Sequence, residues 1–211
     1  MSTVLVIDDH PIVLQACRRM LEDAGVANVL EARDALAGYR LYHRHRPEVV
    51  IIDLAMQGSG LGGLALIRRI HSHDPRARIL VFSMHSDPVI VARTLEAGAT
   101  GYVLKDTSPT DLMEAFEKVR GGMTYLSGDL AMRVALAHTP DRQNPLADLT
   151  PRELQTLSLL AEGKAYGRIA EELNVSYKTV VNVSSQLKQK LDAGTLPELI
   201  RTAVQLLSAT S

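Results

Sequence analysis

Val49-Val50-Ile51-Ile52-Asp53 decides the fold: four branched apolar residues in a row, ending on an acid. Such a run offers no polar face to water, so it reads as a strand buried on both sides, as in a parallel sheet. Working outward, Val4-Leu5-Val6-Ile7 runs into Asp8-Asp9, Ile79-Leu80-Val81-Phe82 into Ser83, and Gly101-Tyr102-Val103-Leu104 into Lys105, with a further short run over residues 28–31. Stretches of helical period separate these runs; Val13, Cys17, Met20 and Leu21 mark the first. Alternating strand and helix predicts an α/β domain over residues 1–121, a five-stranded doubly wound parallel sheet of flavodoxin-like architecture. The carboxyl ends of its strands share one edge, where ligands bind. Three carboxylates, a hydroxyl and an ammonium are therefore predicted to meet there.

Crowded carboxylates repel, so either a hard cation such as Mg2+ joins them or one holds a proton. The arrangement reads as a metal-assisted phosphoryl site. Taken singly, Asp8-Asp9 is a helix cap plus a solvated charge, Ser83 a turn residue and Tyr102 a core ring. Their joint occurrence at successive strand ends is what removes those readings.

A chain of 211 residues with 46% apolar content has material for two modest cores. Its net charge of -1 excludes polyanion binding by bulk field and leaves only a local patch for such work. The single cysteine, Cys17, allows no intramolecular disulfide and reads as a small buried side chain. No membrane-length apolar stretch and no basic leader precede the first strand, which predicts a cytoplasmic protein.

Past Gly121-Gly122 the pattern changes. Residues 122–148 read as a linker with one short helical stretch near residues 130–136, followed by turn-rich Thr139-Pro140-Asp141-Arg142-Gln143-Asn144-Pro145. Residues 149–211 read as a small all-α unit of four helices. Thr150-Pro151-Arg152-Glu153 is a capping box with proline in the first turn, and Gly163 stops the helix it opens. Helices near residues 166–173 and 176–191 follow, and Thr195-Leu196-Pro197-Glu198 caps the last. Val180, Val183, Leu187 and Leu191 form an apolar stripe on the third helix, leaving Lys178, Val181, Asn182, Ser185 and Gln189 outward. Leu196, Leu199, Ile200 and Ala203 on the fourth suit either a core or a dimer face.

Asp8-Asp9-His10-Pro11, Asp53 with Met56 three residues on, Ser83, and Gly101-Tyr102-Val103-Leu104-Lys105-Asp106 together resemble the receiver of response regulators. Leu149-Thr150-Pro151-Arg152-Glu153, Ile169-Ala170-Glu171-Glu172-Leu173 and Val175-Ser176-Tyr177-Lys178-Thr179-Val180 resemble a LuxR-like helix-turn-helix. The whole chain is thus similar to NarL-type two-component regulators. The resemblance implies that a sensor histidine kinase phosphorylates Asp53, assisted by Lys105 and Ser83. It implies that Mg2+ is held by Asp9 and Asp53, by Asp8 through water and by the backbone carbonyl of Ala55, and that Tyr102 turns inward with Ser83 as a switch. It further implies double-stranded DNA as partner and a homodimer when active. Base reading would fall to Lys178, Val181 and Asn182, with Ser185 on the same face and phosphate contacts from Thr179, Lys188 and Lys190.

The chain departs from the pattern at two places. Gln57-Gly58-Ser59-Gly60-Leu61-Gly62-Gly63 is about two residues longer than usual and matches G-x-G-x-x-G, with Asp87 where a ribose-binding acid could fall. The motif follows the third strand at a distance of several residues, and the phosphoryl constellation is complete without it, so a flexible loop bordering the site is the preferred reading. In the helical unit, Tyr166-Gly167, Val181 and Val183 replace usual polar contact residues, which predicts a shallower salt dependence on DNA. An output acting through protein contacts is the alternative. A true aspartyl phosphatase would need an acid two residues after Asp53, where Ala55 stands. His43 with His45, and His71 with His73, diverge on their helices and read as solvated helix ends, while His10 and His85 flank the phosphoryl site.

Overall fold

The computed structural model describes residues 2–56, 61–137 and 144–208. Strands β1 (Thr3–Ile7), β2 (Asn28–Ala32), β3 (Val49–Ile52), β4 (Ile79–Ser83) and β5 (Gly101–Leu104) alternate with helices α1 (Pro11–Asp23), α2 (Ala35–His45), α3 (Gly62–His73), α4 (Pro88–Glu96) and α5 (Pro109–Arg120). The sheet order is β2-β1-β3-β4-β5-β6, all pairs parallel.

The sixth strand corrects the five-stranded expectation. β6 (Tyr125–Leu126) pairs with Gly101 and Tyr102, so the sheet continues beyond Gly121-Gly122, where the pattern of the first domain is expected to end. Two residues carry no readable period, and only the β5 edge beside them makes them a strand.

Alternation along each strand sends neighbouring side chains to opposite faces. Val4, Val6, Val49, Ile51, Leu80 and Val103 pack against Leu14, Cys17 and Leu21 of α1 and Phe116 and Val119 of α5. Leu5, Ile7, Val50, Ile52, Ile79, Val81 and Tyr102 pack on the other face against Tyr42, Leu64, Ile67, Ile70 and Ile90. Burial lifts the Cys17 thiol to about 12, which makes it a packing residue and no nucleophile.

Helix α6 (Gly128–Ala137) packs on α4. Beyond it the chain is fastened to α4 again. Asn144 Nδ2 donates to Asp87 Oδ2 at 3.2 Å, and Arg93 donates to the Ala147 carbonyl at 2.7 Å.

The helical unit comprises α7 (Pro151–Ala161), α8 (Tyr166–Glu172), α9 (Tyr177–Lys190) and α10 (Leu196–Ser208). Its predicted caps form. Thr150 Oγ1 accepts from Glu153 N at 3.2 Å and Glu153 Oε2 from Thr150 N at 2.7 Å. Gly163 ends the first helix with φ +76°, a backbone region costly for other residues. Leu199 and Ala203 are fully buried, and α10 packs on α7, so those two residues are core.

Candidate functional site: a carboxylate and lysine cluster at the sheet edge

Parallel register brings the predicted residues together. Ile7 lies opposite Ile52 and Ser83 opposite Leu104, so Asp8, Asp53, Ser83 and Lys105 emerge at one edge. The Lys105 ammonium bridges two carboxylates, 2.7 Å from Asp8 Oδ2 and 2.8 Å from Asp53 Oδ2. Both side chains of that acidic pair are 3% exposed and Lys105 is 10% exposed, so these are charge-assisted bonds largely shielded from water.

Burial raises the Asp53 carboxyl above its ordinary range even though Lys105 pulls it down, and the charge of Asp8 adds to the rise. For Lys105, burial works against the charge, but Asp53 and Asp8 outweigh it and hold the ammonium protonated. The ligand atoms of Asp8, Asp9, His10 and Asp53 all lie within 4.8 Å of one another. A set dominated by hard carboxylate oxygens fits a divalent cation.

Ser83 is fully buried, and its Oγ accepts a long 3.4 Å bond from His85 N. The Tyr102 ring is fully buried too, and its hydroxyl donates to the His85 carbonyl at 2.6 Å. Tyr102 is therefore turned inward, tying β5 to the loop after Ser83. The His85 imidazole is pushed toward its neutral form by burial.

The long loop is only partly visible: Gln57, Gly58, Ser59 and Gly60 lie outside the described residues. Its glycine-rich end has a packing explanation. A Cβ on Gly63 would stand 2.2 Å from the Asp53 carbonyl oxygen, so α3 can seat against the acidic strand end only through a glycine. Asp87 is occupied as well, accepting from Val89 N at 2.9 Å and Ile90 N at 3.2 Å as the N-cap of α4.

Sequence reasoning passed over a groove of about 260 Å3 beside the cluster, lined by residues including Ile12, Cys17, Phe82, Lys105 and Pro109. Ile12 stands 81% exposed at its rim, a signal visible only as one apolar residue too many in the first turn of α1. It also passed over a cross-helix contact. His43 and His73 diverge from their sequence neighbours but meet each other, with ring centroids 5.9 Å apart, and Tyr39 of α2 makes edge contacts with both rings.

On the helical unit, Lys178, Asn182, Ser185 and Gln189 are exposed on α9, with Val181 and Lys188 half-buried. Val180 and Leu187 are buried, Val183 and Leu191 partly so. Ser184 joins that stripe at 1% exposure because Tyr166 on α8 hydrogen-bonds its hydroxyl, which accounts for the unusual tyrosine. Thr179 Oγ1 is 2.8 Å from Ser176 Oγ, within the cap of α9. Lys190 is engaged elsewhere, 2.8 Å from Glu153 Oε2 and 2.9 Å from the Asp148 carbonyl.

A parallel α/β domain with an acid and lysine centre at its sheet edge, joined to a four-helix unit, defines a regulator with an input and an output half. Comparison with known proteins agrees along the length of the chain. Residues 4–117 match the response regulator receiver domain, and residues 147–203 match the bacterial regulatory proteins of the luxR family. The methanol utilization control regulatory protein MoxX of Paracoccus denitrificans is 36% identical over 197 residues, covering 93% of this chain and 88% of MoxX. The response regulator UvrY of Escherichia coli (strain K12) is 32% identical over 208 residues, covering 97% and 94%. RcsB from Salmonella enterica serovar Typhimurium, solved bound to a promoter in the presence of the phosphomimetic BeF3-, superposes with a TM-score of 0.73 at 31% identity, over 96% of this chain and 98% of that one. The chain belongs to the response regulators that join a receiver to a LuxR-type helix-turn-helix.

Proposed function

We propose that a sensor histidine kinase transfers a phosphoryl group to Asp53, and that the modified receiver controls a DNA-binding output which regulates transcription in the cytoplasm. The observation that carries this reading is the pair of bonds from Lys105 to Asp8 and Asp53, with fully buried Ser83 on the adjoining strand end. An Asp53 carboxylate oxygen bonds to phosphorus while the donor's phosphorus–nitrogen bond breaks, its electron pair leaving with the nitrogen. Lys105 exchanges its bond to Asp53 for one to the arriving phosphoryl oxygens, and Ser83 turns its hydroxyl to the same group. Mg2+, held by Asp9, Asp53 and the Ala55 carbonyl with Asp8 acting through water, would supply neutralisation of the phosphoryl charge. The chain's own catalysis is confined to gaining and losing this group.

Tyr102 then reports the state of Ser83 through the 83–87 loop, as one conformation gains population over another. In the output unit α9 enters the major groove. Lys178, Val181 and Asn182 face the bases with Ser185 alongside, Val181 suits a thymine methyl, and Thr179 and Lys188 address phosphates. Two copies pair on two half-sites.

Incubation with Mg2+ and a small phosphoryl donor should place one base-labile phosphoryl group on the wild-type chain and none on Asp53→Asn. Equal labelling of the variant would remove Asp53 from the role. Selection from random duplexes with the phosphorylated protein should enrich a sequence of two-fold symmetry. Failure to enrich any sequence at low salt would favour an output acting through protein contacts.

A further inference from the structure

Three carboxylates account for a Mg2+ site, yet the fold brings a nitrogen donor to the same place. His10 is the N-cap of α1, and its backbone N–H donates to Asp8 Oδ1 at 2.8 Å. This bond folds residue 10 back over the acidic pair. Its Nδ1 lies 3.1 Å from Asp8 Oδ1 and 2.9 Å from Asp9 Oδ1. Neighbouring ligands of one six-coordinate cation, each at about 2.1 Å, stand roughly 3 Å apart. The imidazole nitrogen and the Asp9 oxygen already have that spacing. Lys105 takes the other oxygen of Asp8, so ammonium and imidazole do not compete for one atom.

Carboxylate and carbonyl oxygens suit Mg2+ and Mn2+, whereas imidazole adds most to the binding of Zn2+, Ni2+ or Cu2+. We propose that His10 is a fourth protein ligand at the Asp53 centre, one that shifts its selectivity from Mg2+ toward late first-row divalent cations. The proposal rests on the reading of that centre as a cation-assisted phosphoryl acceptor. Because His10 is 57% exposed and its ring packs into neither core cluster, its removal leaves the fold intact.

The test measures occupancy of the full chain by Mn2+, read from the loss of its free electron-spin signal, and displaces it with Mg2+ or Ni2+. In the wild type Ni2+ should displace Mn2+ at concentrations about 100-fold below Mg2+, and His10→Ala should cut that ratio about tenfold while moving the Mg2+ end less than about twofold. The Mn2+ complex should show spin-echo modulation from an imidazole nitrogen, lost in His10→Ala. A ratio and modulation indifferent to His10→Ala would overturn the assignment of His10. Asp9→Ala separates that failure from a deeper one: it should abolish binding of all three ions, and full Mn2+ occupancy in this variant would overturn the cation-assisted reading itself.

Discussion

Each half of the molecule buries a carboxylate against a lysine, and the two carboxylates titrate in opposite directions. Asp53 meets Lys105 at the receiver edge and is pushed up by burial. Glu153 meets Lys190 in the helical unit; burial opposes its charge there too, but Lys190 and the two groups of Thr150 outweigh burial and hold the carboxyl below its usual range. At Asp53 burial and the charge of Asp8 outweigh Lys105, whereas at Glu153 the hydrogen bonds outweigh burial. Glu153 closes a capping box with Thr150 N and takes Lys190 on the same oxygen. Asp53 shares one ammonium with Asp8 and, among the described residues, has only a 3.4 Å contact from Ala55 N besides. A satisfied carboxylate holds structure together, while an under-satisfied one is poised to take a new bond.

The contrast breaks most visibly in function. Asp53→Asn should lose all phosphoryl incorporation and yet gain stability, raising the receiver's thermal midpoint by roughly 2–4 °C, because a poorly compensated buried charge is removed. A clear drop in midpoint would show that Asp53 is structural after all. Glu153→Gln should do the reverse, keeping full phosphoryl incorporation while costing the helical unit about 1–3 kcal/mol in urea titration, the worth of a charge-assisted bond.

Acid sharpens the same point. With its folded value below the ordinary 4.5, Glu153 contributes fully above that pH and loses its contribution as pH falls through the folded value. The stability gap between wild type and Glu153→Gln should therefore close on acidification; a constant gap would assign it to packing. The smallest expected effect concerns the two lysines at the end of α9. Lys188→Ala should lower the salt slope of DNA binding by about 0.9, one phosphate's share, whereas Lys190→Ala should leave the slope alone and lower stability. Equal slopes in both variants would erase the distinction between a phosphate-binding lysine and a bracing one.

The strands and their acidic or basic ends were legible in the sequence because strands buried on both faces leave unbroken apolar runs, and the sheet then aligns whatever follows them. The site residues at the ends of β1, β3, β4 and β5 came with that alignment. Contacts between distant residues were not legible. Nothing near Lys190 announces Glu153, 37 residues earlier, so its side chain read as free for phosphate. Gly63 read as loop flexibility, whereas it is the close approach to Asp53 that requires it. Ser184, absent from the stripe of Val180, Val183, Leu187 and Leu191, is buried with Tyr166 as its partner, a contact across helices that spacing does not show. His10 read only as flanking the site, because a sequence does not show that its backbone bond to Asp8 brings the ring beside Asp9.

The two ties from residues 144 and 147 to α4 make that helix a hinge plate for the output half. Its first turn begins five residues after Ser83, and its capping acid, Asp87, is the one that Asn144 grips. Any excursion of that turn has two outcomes: residues 144–149 ride with it, or the grip parts. In either event Thr150, where α7 starts, no longer stands at the same address.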